Sequence, residues 1–212
     1  MAYATGSRLD EDDDLPASMG ERVLEAWRDM PASTRRLIAE QPTEGRLLFY
    51  VILSDMVFFL SWTMKTVLAP TAAAQGRMPL EMAGYMAVAF LMRTAVLYLF
   101  AAGAFAVCSA AGGSGSWRDT RVAVFWGALV SAPFGFLAAS LTVALAVGER
   151  RLPALGDPVL ALPTYYVGLV PFLWFIAAGL AAAHGWKKTS WPFLGLSAGT
   201  VALSLVAVYL SA

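Results

Sequence analysis

Charge is scarce in this chain: 14% of its 212 residues are Asp, Glu, Lys or Arg, against about 25% in an ordinary soluble domain. Cysteine and histidine are scarcer still, at one each. A lone Cys108 closes no intramolecular disulfide and builds no zinc spacing; within its apolar stretch it reads as a packed small residue. A lone His184 leaves a Ser or Cys nucleophile with almost no choice of base. No HExxH, phosphate loop or dinucleotide fingerprint occurs, and no two carboxylates fall close together on one apolar helix face. The expectation is therefore a non-enzymatic chain without cofactor or metal. The formal net charge of zero gives no reason to expect affinity for nucleic acid.

What the chain has in abundance is apolar sequence, 58% of its residues, with a mean hydropathy of +0.63. A membrane helix needs about 20 mostly apolar residues to cross about 30 Å of hydrocarbon. Five runs qualify: 47–68, 82–111, 122–147, 164–183 and 191–211. With no water to satisfy the backbone, each must be helical. The expected fold is an all-α polytopic bundle of five transmembrane helices. Breakers mark the joints: Ala69-Pro70-Thr71, the glycine-rich 112–116, Gly148 with Pro153, Pro158 and Pro163, and His184-Gly185. Pro192 falls in the first turn of the last run, where its missing N–H is tolerated. The first apolar run starts only at Leu47, so it is expected to act as the insertion signal and stay in place.

Lys and Arg in the flanks set the orientation. One side receives Arg28, Arg35, Arg36, Arg46, Arg118, Arg121, Lys187 and Lys188; the other receives Lys65, Arg77, Arg150 and Arg151. Eight against four puts the N-terminus in the cytoplasm and the C-terminus outside. Alanine- and arginine-rich usage suggests a bacterial source, hence an inner membrane.

The first 46 residues carry 16 of the 30 charged side chains. Residues 1–17, with Asp10-Glu11-Asp12-Asp13-Asp14, read as a disordered acidic tail; a calcium loop would need a glycine and a later bidentate glutamate that are missing. In 18–46, Ser18-Met19-Gly20-Glu21 is a capping box, after which Val23, Leu24, Trp27 and Met30 fall on one helical face. Pro31 stops that helix or starts another through Ala39. Trp27, Arg28, Arg35 and Arg36 then suit helices lying on the bilayer, arginines at anionic headgroups. Packing against the protein's own loops is the alternative.

Inside the runs, Asp55 and Arg93 stand out, because charge in hydrocarbon must be paired or functional. At 1.5 Å per residue, Asp55 is about 13 Å past Arg46 and Arg93 about 16 Å past Met82, on antiparallel neighbours. They are expected to pair and lock the first hairpin. A proton or ion relay through Asp55 is the alternative, disfavoured by the absence of charge from the last three runs. Lys65 and Glu81 flank the outer edge, to pair or to snorkel. Gly127, Ser131, Gly135 and Ala139 repeat at four-residue spacing, and Gly195 and Gly199 form a GxxxG, so both sets are expected to pack helices closely. Pro133 and Pro171 should bend their helices. His184, at a helix C-terminus that favours positive charge, is expected to be solvated.

Three local patterns give the layout a family likeness. These are Trp27-Arg28-Asp29-Met30-Pro31 with Arg35-Arg36-Leu37; Gly112-Gly113-Ser114-Gly115-Ser116-Trp117 running into Arg121 to Trp126 and Pro133; and Leu180 to Lys188 around His184-Gly185-Trp186. In order and spacing, over roughly 25–212, the chain resembles the Yip-domain family of Ypt/Rab-interacting membrane proteins, in its small bacterial branch. The resemblance implies five spans, a cytosolic N-terminus and no catalytic residues; the family's eukaryotic members are linked to vesicle trafficking and membrane shaping. The leading functional expectation is a scaffold or accessory subunit that contacts the bilayer and other membrane proteins or copies of itself. The second is a small transporter or channel using Asp55 and Arg93, which a polar cavity reaching them would favour.

Overall fold

The computed structural model describes residues 18–70 and 79–211. The acidic run Asp10–Asp14 and Arg77 lie outside them. Among the described residues there is no strand: the fold is all-α, with helices α1 (Met19–Arg28), α2 (Met30–Ala39), α3 (Glu44–Leu68), α4 (Pro79–Ala110), α5 (Trp117–Glu149), α6 (Pro158–Ala183) and α7 (Ser190–Ser211), plus a 3-10 turn at Pro153–Gly156. Helices α3 to α7 are each long and apolar enough to cross a bilayer, making this a multi-pass membrane protein.

Local chemistry sets the helix starts. Ser18 and Glu21 form the capping box of α1, and Thr43 caps α3. A second capping box, Ser116 with Asp119, starts α5 five residues before the apolar run at Val122. Asp157 caps α6, so the helix that carries the fourth span opens at Pro158, while its candidate span begins at Leu162. Pro163, expected in a linker, lies inside α6. Pro158 stands where a helix loses nothing by a missing N–H, and the apolar residues after it continue the helix. Met30 does not continue α1: Asp29 ends that helix and, through its carboxylate on the Ala32 N–H at 2.9 Å, caps α2.

At about 1.5 Å per residue, α5 is about 50 Å long, well over the 30 Å of hydrocarbon, and its first half forms the core. Val122 through Val130 are all buried, packed against Tyr50 of α3, with the Tyr50 and Trp126 rings 5.3 Å apart, and against Ile176 and Leu180 of α6. Helices α1 and α2 cover this half, which defines the near side. Trp27 Nε1 donates to the Val130 carbonyl at 2.9 Å and its ring meets Phe134 edge-on at 5.3 Å; Trp126 Nε1 donates to Ser33 Oγ at 3.1 Å. Arg36 pairs with Glu25, while Arg28 and Arg35 are exposed. One face of α1 and α2 is therefore spent on the protein itself.

Close approach of α5 and α6 depends on two glycines. A Cβ on Gly127 would lie 3.0 Å from Ile176 Cγ1 and 3.1 Å from Ile176 Cα; one on Gly179 would lie 3.1 Å from the Ala123 carbonyl. Helix α7, in contrast, touches α6 through Phe193 on Trp174 at 5.7 Å, and Tyr209 near its end is 83% exposed. Nothing stands within 4 Å of a Cβ on Gly195 or Gly199, so the GxxxG joins no helix within the described residues. Gly127→Ala should lower the melting temperature in detergent, overpacking by one methyl at a rigid backbone being worth about 1–3 kcal/mol. Gly195→Ala should leave it unchanged or slightly raised, and equal effects would contradict this assignment of packed and open faces.

Candidate functional site

Adjacent residues on α3, Ser54 and Asp55, face adjacent residues on α4, Arg93 and Thr94. Arg93 Nη1 forms an ion pair with Asp55 Oδ1. Thr94 Oγ1 donates to the other carboxylate oxygen at 2.6 Å, and Arg93 Nη2 donates to Ser54 Oγ at 3.1 Å. Ser54 Oγ in turn donates to the Ala128 carbonyl of α5 at 3.2 Å, and the guanidinium lies 4.9 Å from the centre of the Phe58 ring. A buried ion pair is held better when its remaining valences are also satisfied; here Oδ2 and Nη2 have hydrogen-bond partners beyond the pair, while Oδ1 and Nη1 have each other. Depth along the helices put Asp55 and Arg93 within reach of one another; Ser54 and Thr94 gave no signal beyond being hydroxyls next to the charges.

The two charges are not equally enclosed. Asp55 is fully buried, whereas the Arg93 side chain is 20% exposed. The open part of Arg93 faces a cavity of about 820 Å³ among α3, α4, α5 and α6, within the range of small-molecule sites. From Arg93 and Ser54 it runs toward the far side, past Ser61 and Ser131, to Lys65, Thr142 and Thr164. Several of these hydroxyls already donate to their own helices: Ser61 to the Val57 carbonyl at 2.7 Å, Ser131 to Ala128 at 3.0 Å and Thr142 to Ala138 at 2.9 Å. They offer lone pairs to an occupant at little unsatisfied cost when it is absent.

The cavity corrects the reading of the four-residue repeat on α5. Gly127 packs against Ile176, and Gly135 lies against Gly168, where an added Cβ would stand 3.6 Å from the Gly135 Cα. But Ser131, Gly135 and Ala139 also line the cavity, and a Cβ on Gly135 would itself meet nothing within 4 Å. A missing side chain serves equally for close approach and for empty space, so spacing alone does not separate them. Among the described residues Lys65 and Glu81 form no ion pair with each other, which leaves Lys65 as a cation at the far end of the cavity.

His184 is the second correction: it is 2% exposed, not solvated. The glycine-rich loop after α4 wraps it. Gly115 N–H donates to Nδ1 at 3.3 Å, leaving Nε2 to donate to Thr120 Oγ1 at 3.0 Å, and Trp186 stacks on the ring at 5.6 Å. A Cβ on Gly113 would lie 2.5 Å from Nδ1, and one on Gly115 2.5 Å from the Ala183 carbonyl, so only glycines admit the ring. Burial lowers the His184 pKa below the ordinary 6.5, against a smaller raising effect of Asp119. Among the described residues no three His, Cys, Asp or Glu side chains group as metal donors.

Asp55→Asn should destabilise the protein by about 3–5 kcal/mol, the usual loss on leaving one buried charge unpaired. Replacing both partners, as Asp55→Leu with Arg93→Met, should recover part of that loss in thermal unfolding; a double variant no better than the single one would contradict the pairing. For His184 the folded pKa is the lower one, so this group has no effect on stability above about 6.5. Below that value the unfolded chain takes up the proton first, and stability falls until the folded value is passed. Melting temperature should accordingly drop on acidification from pH 7 to 5, and His184→Gln should flatten that limb.

Searches of family models, of curated proteins and of solved structures find no match to this chain.

Proposed function

We propose that this membrane protein is non-enzymatic and receives a small molecule in the cavity that Arg93 faces, as a small transporter or carrier does. The supporting observation is the cavity itself: it is large, has a few polar groups among apolar walls, and reaches one member of the buried ion pair between α3 and α4. In this reading Asp55 holds Arg93 in place and α1 with α2 lie on the cytoplasmic face of a bacterial inner membrane. The likeness to the Yip-domain family belongs to the same proposal; two of the patterns that carry it, the loop at 112–117 and the turn at 184–186, are in contact through His184.

A second reading, a scaffold or accessory subunit, draws on α7. None of its most apolar stretch is buried, and Gly195 and Gly199 leave room for another helix. The mass of the complex in mild detergent separates the two: a scaffold should run as an oligomer or with a stoichiometric partner, and Gly199→Leu should dissociate it.

The cavity reading is tested by thiol labelling of delipidated protein in detergent, with Cys108→Ala as background. A small maleimide should modify Gly135→Cys, on the cavity wall, and not Val130→Cys, which is fully buried in the core. Failure to label Gly135→Cys in folded protein would overturn the reading.

A further inference from the structure

Resting on that cavity reading, we infer that the occupant is an anionic phospholipid of the far leaflet, its headgroup on Lys65 and one acyl chain in the cavity. Three features of the cavity converge on this chemistry.

The first is where the second cation of the lining stands. The Arg93 charge is matched by Asp55, and a second anion near the bilayer centre would be costly to desolvate. Lys65 carries the other cation in the lining. It lies three residues before the end of α3, about 5 Å along the axis, and so at the level of lipid headgroups. Thr142 and Thr164, whose hydroxyl oxygens are 3.4 Å apart, line the same far end.

The second is length and lining. Ser54 and Lys65, the deep and far limits on α3, are eleven residues apart, about 16 Å at 1.5 Å per residue. One leaflet of hydrocarbon is about half of 30 Å. Between the two limits the walls are mostly apolar, Phe58, Ala132, Gly135, Ala138, Gly168 and Phe172. The hydroxyls of Ser61 and Ser131 among them already donate to their own helices, so the surface suits methylenes better than a hydrated solute.

The third is the way in. Met92 and Val96 of α4, and Tyr165 and Leu169 of α6, line the cavity and are themselves exposed. The cavity therefore opens sideways between α4 and α6, toward the lipid, and a chain can enter without the headgroup leaving the interface. The near half admits nothing, because Tyr50, Trp126 and Val130 fill it.

The test is lipid binding to the purified full-length protein, by native mass spectrometry, with phosphatidylglycerol, with phosphatidylcholine of the same chains, and with glycerol 3-phosphate as the headgroup alone. Phosphatidylglycerol should bind about fivefold more tightly than phosphatidylcholine, the preference one lysine near an anionic surface confers, and glycerol 3-phosphate should not compete. Lys65→Gln should equalise the two lipids while both still bind. Gly135→Leu, placed where a side chain meets open space, should abolish binding of both with the melting temperature retained. Full lipid preference in Lys65→Gln, or competition by glycerol 3-phosphate, would overturn the inference. If Gly135→Leu does not fold, the surface variant Lys65→Gln decides alone. Labelling of Gly135→Cys without any lipid binding would reject the lipid and leave the cavity reading standing.

Discussion

An ion pair whose carboxylate is fully buried fixes the geometry of the far half of this molecule. Helix α4 is thinly packed: only 11% of its most apolar stretch is buried, so apolar contact alone gives it little reason to stay in one register against α3. Asp55 supplies that reason, because a carboxylate enclosed on every side must keep its guanidinium and its Thr94 hydroxyl, and both come from α4. The cavity follows from this. Its α4 wall, including Arg93 itself, stands where the pair holds it.

The two halves of the bundle solve the packing problem in opposite ways. On the near side, large side chains such as Trp126, Tyr50 and Phe125 fill the space, α1 and α2 close it over, and Gly127 and Gly179 bring α5 and α6 together. On the far side, Gly168 of α6 lies close against Gly135 and Ala138 of α5, and the open space is bordered by this pair of helices on one side and by α3 and α4 on the other. A protein interior ordinarily leaves few voids larger than a water molecule, and this opening of about 820 Å³ is far larger. The near-side loops serve the first half: the glycines at 113 and 115 let the chain close on His184, joining the ends of α4, α5 and α6.

Much of the architecture was legible in the sequence because hydropathy, capping and breakers act over a few residues. Ser18 with Glu21 announced α1, and the five apolar runs announced five helices. Helices α5 and α6 start ahead of the apolar runs at 122 and 164 because hydropathy sees only the apolar stretch, while the caps Ser116 and Asp157 lie in polar sequence several residues earlier. Met30 fell on the face of α1 by spacing, yet Asp29 between them turned the chain.

What the sequence determined by itself is what depends on neighbours along the chain: a multi-pass all-α protein, the positions of its helices, and the depth that brought Asp55 and Arg93 level. What only the tertiary structure decided is what depends on the opposing helix. Gly127, Gly135 and Gly195 are the same residue at similar spacings, yet the first touches Ile176, the second borders a cavity and the third faces outward. The lone histidine, by sequence a polar residue at a helix end, is enclosed because Gly113 and Gly115, in a loop distant along the chain, have no side chains to keep it out. Absence of a side chain is a local fact; what occupies the space it leaves is not.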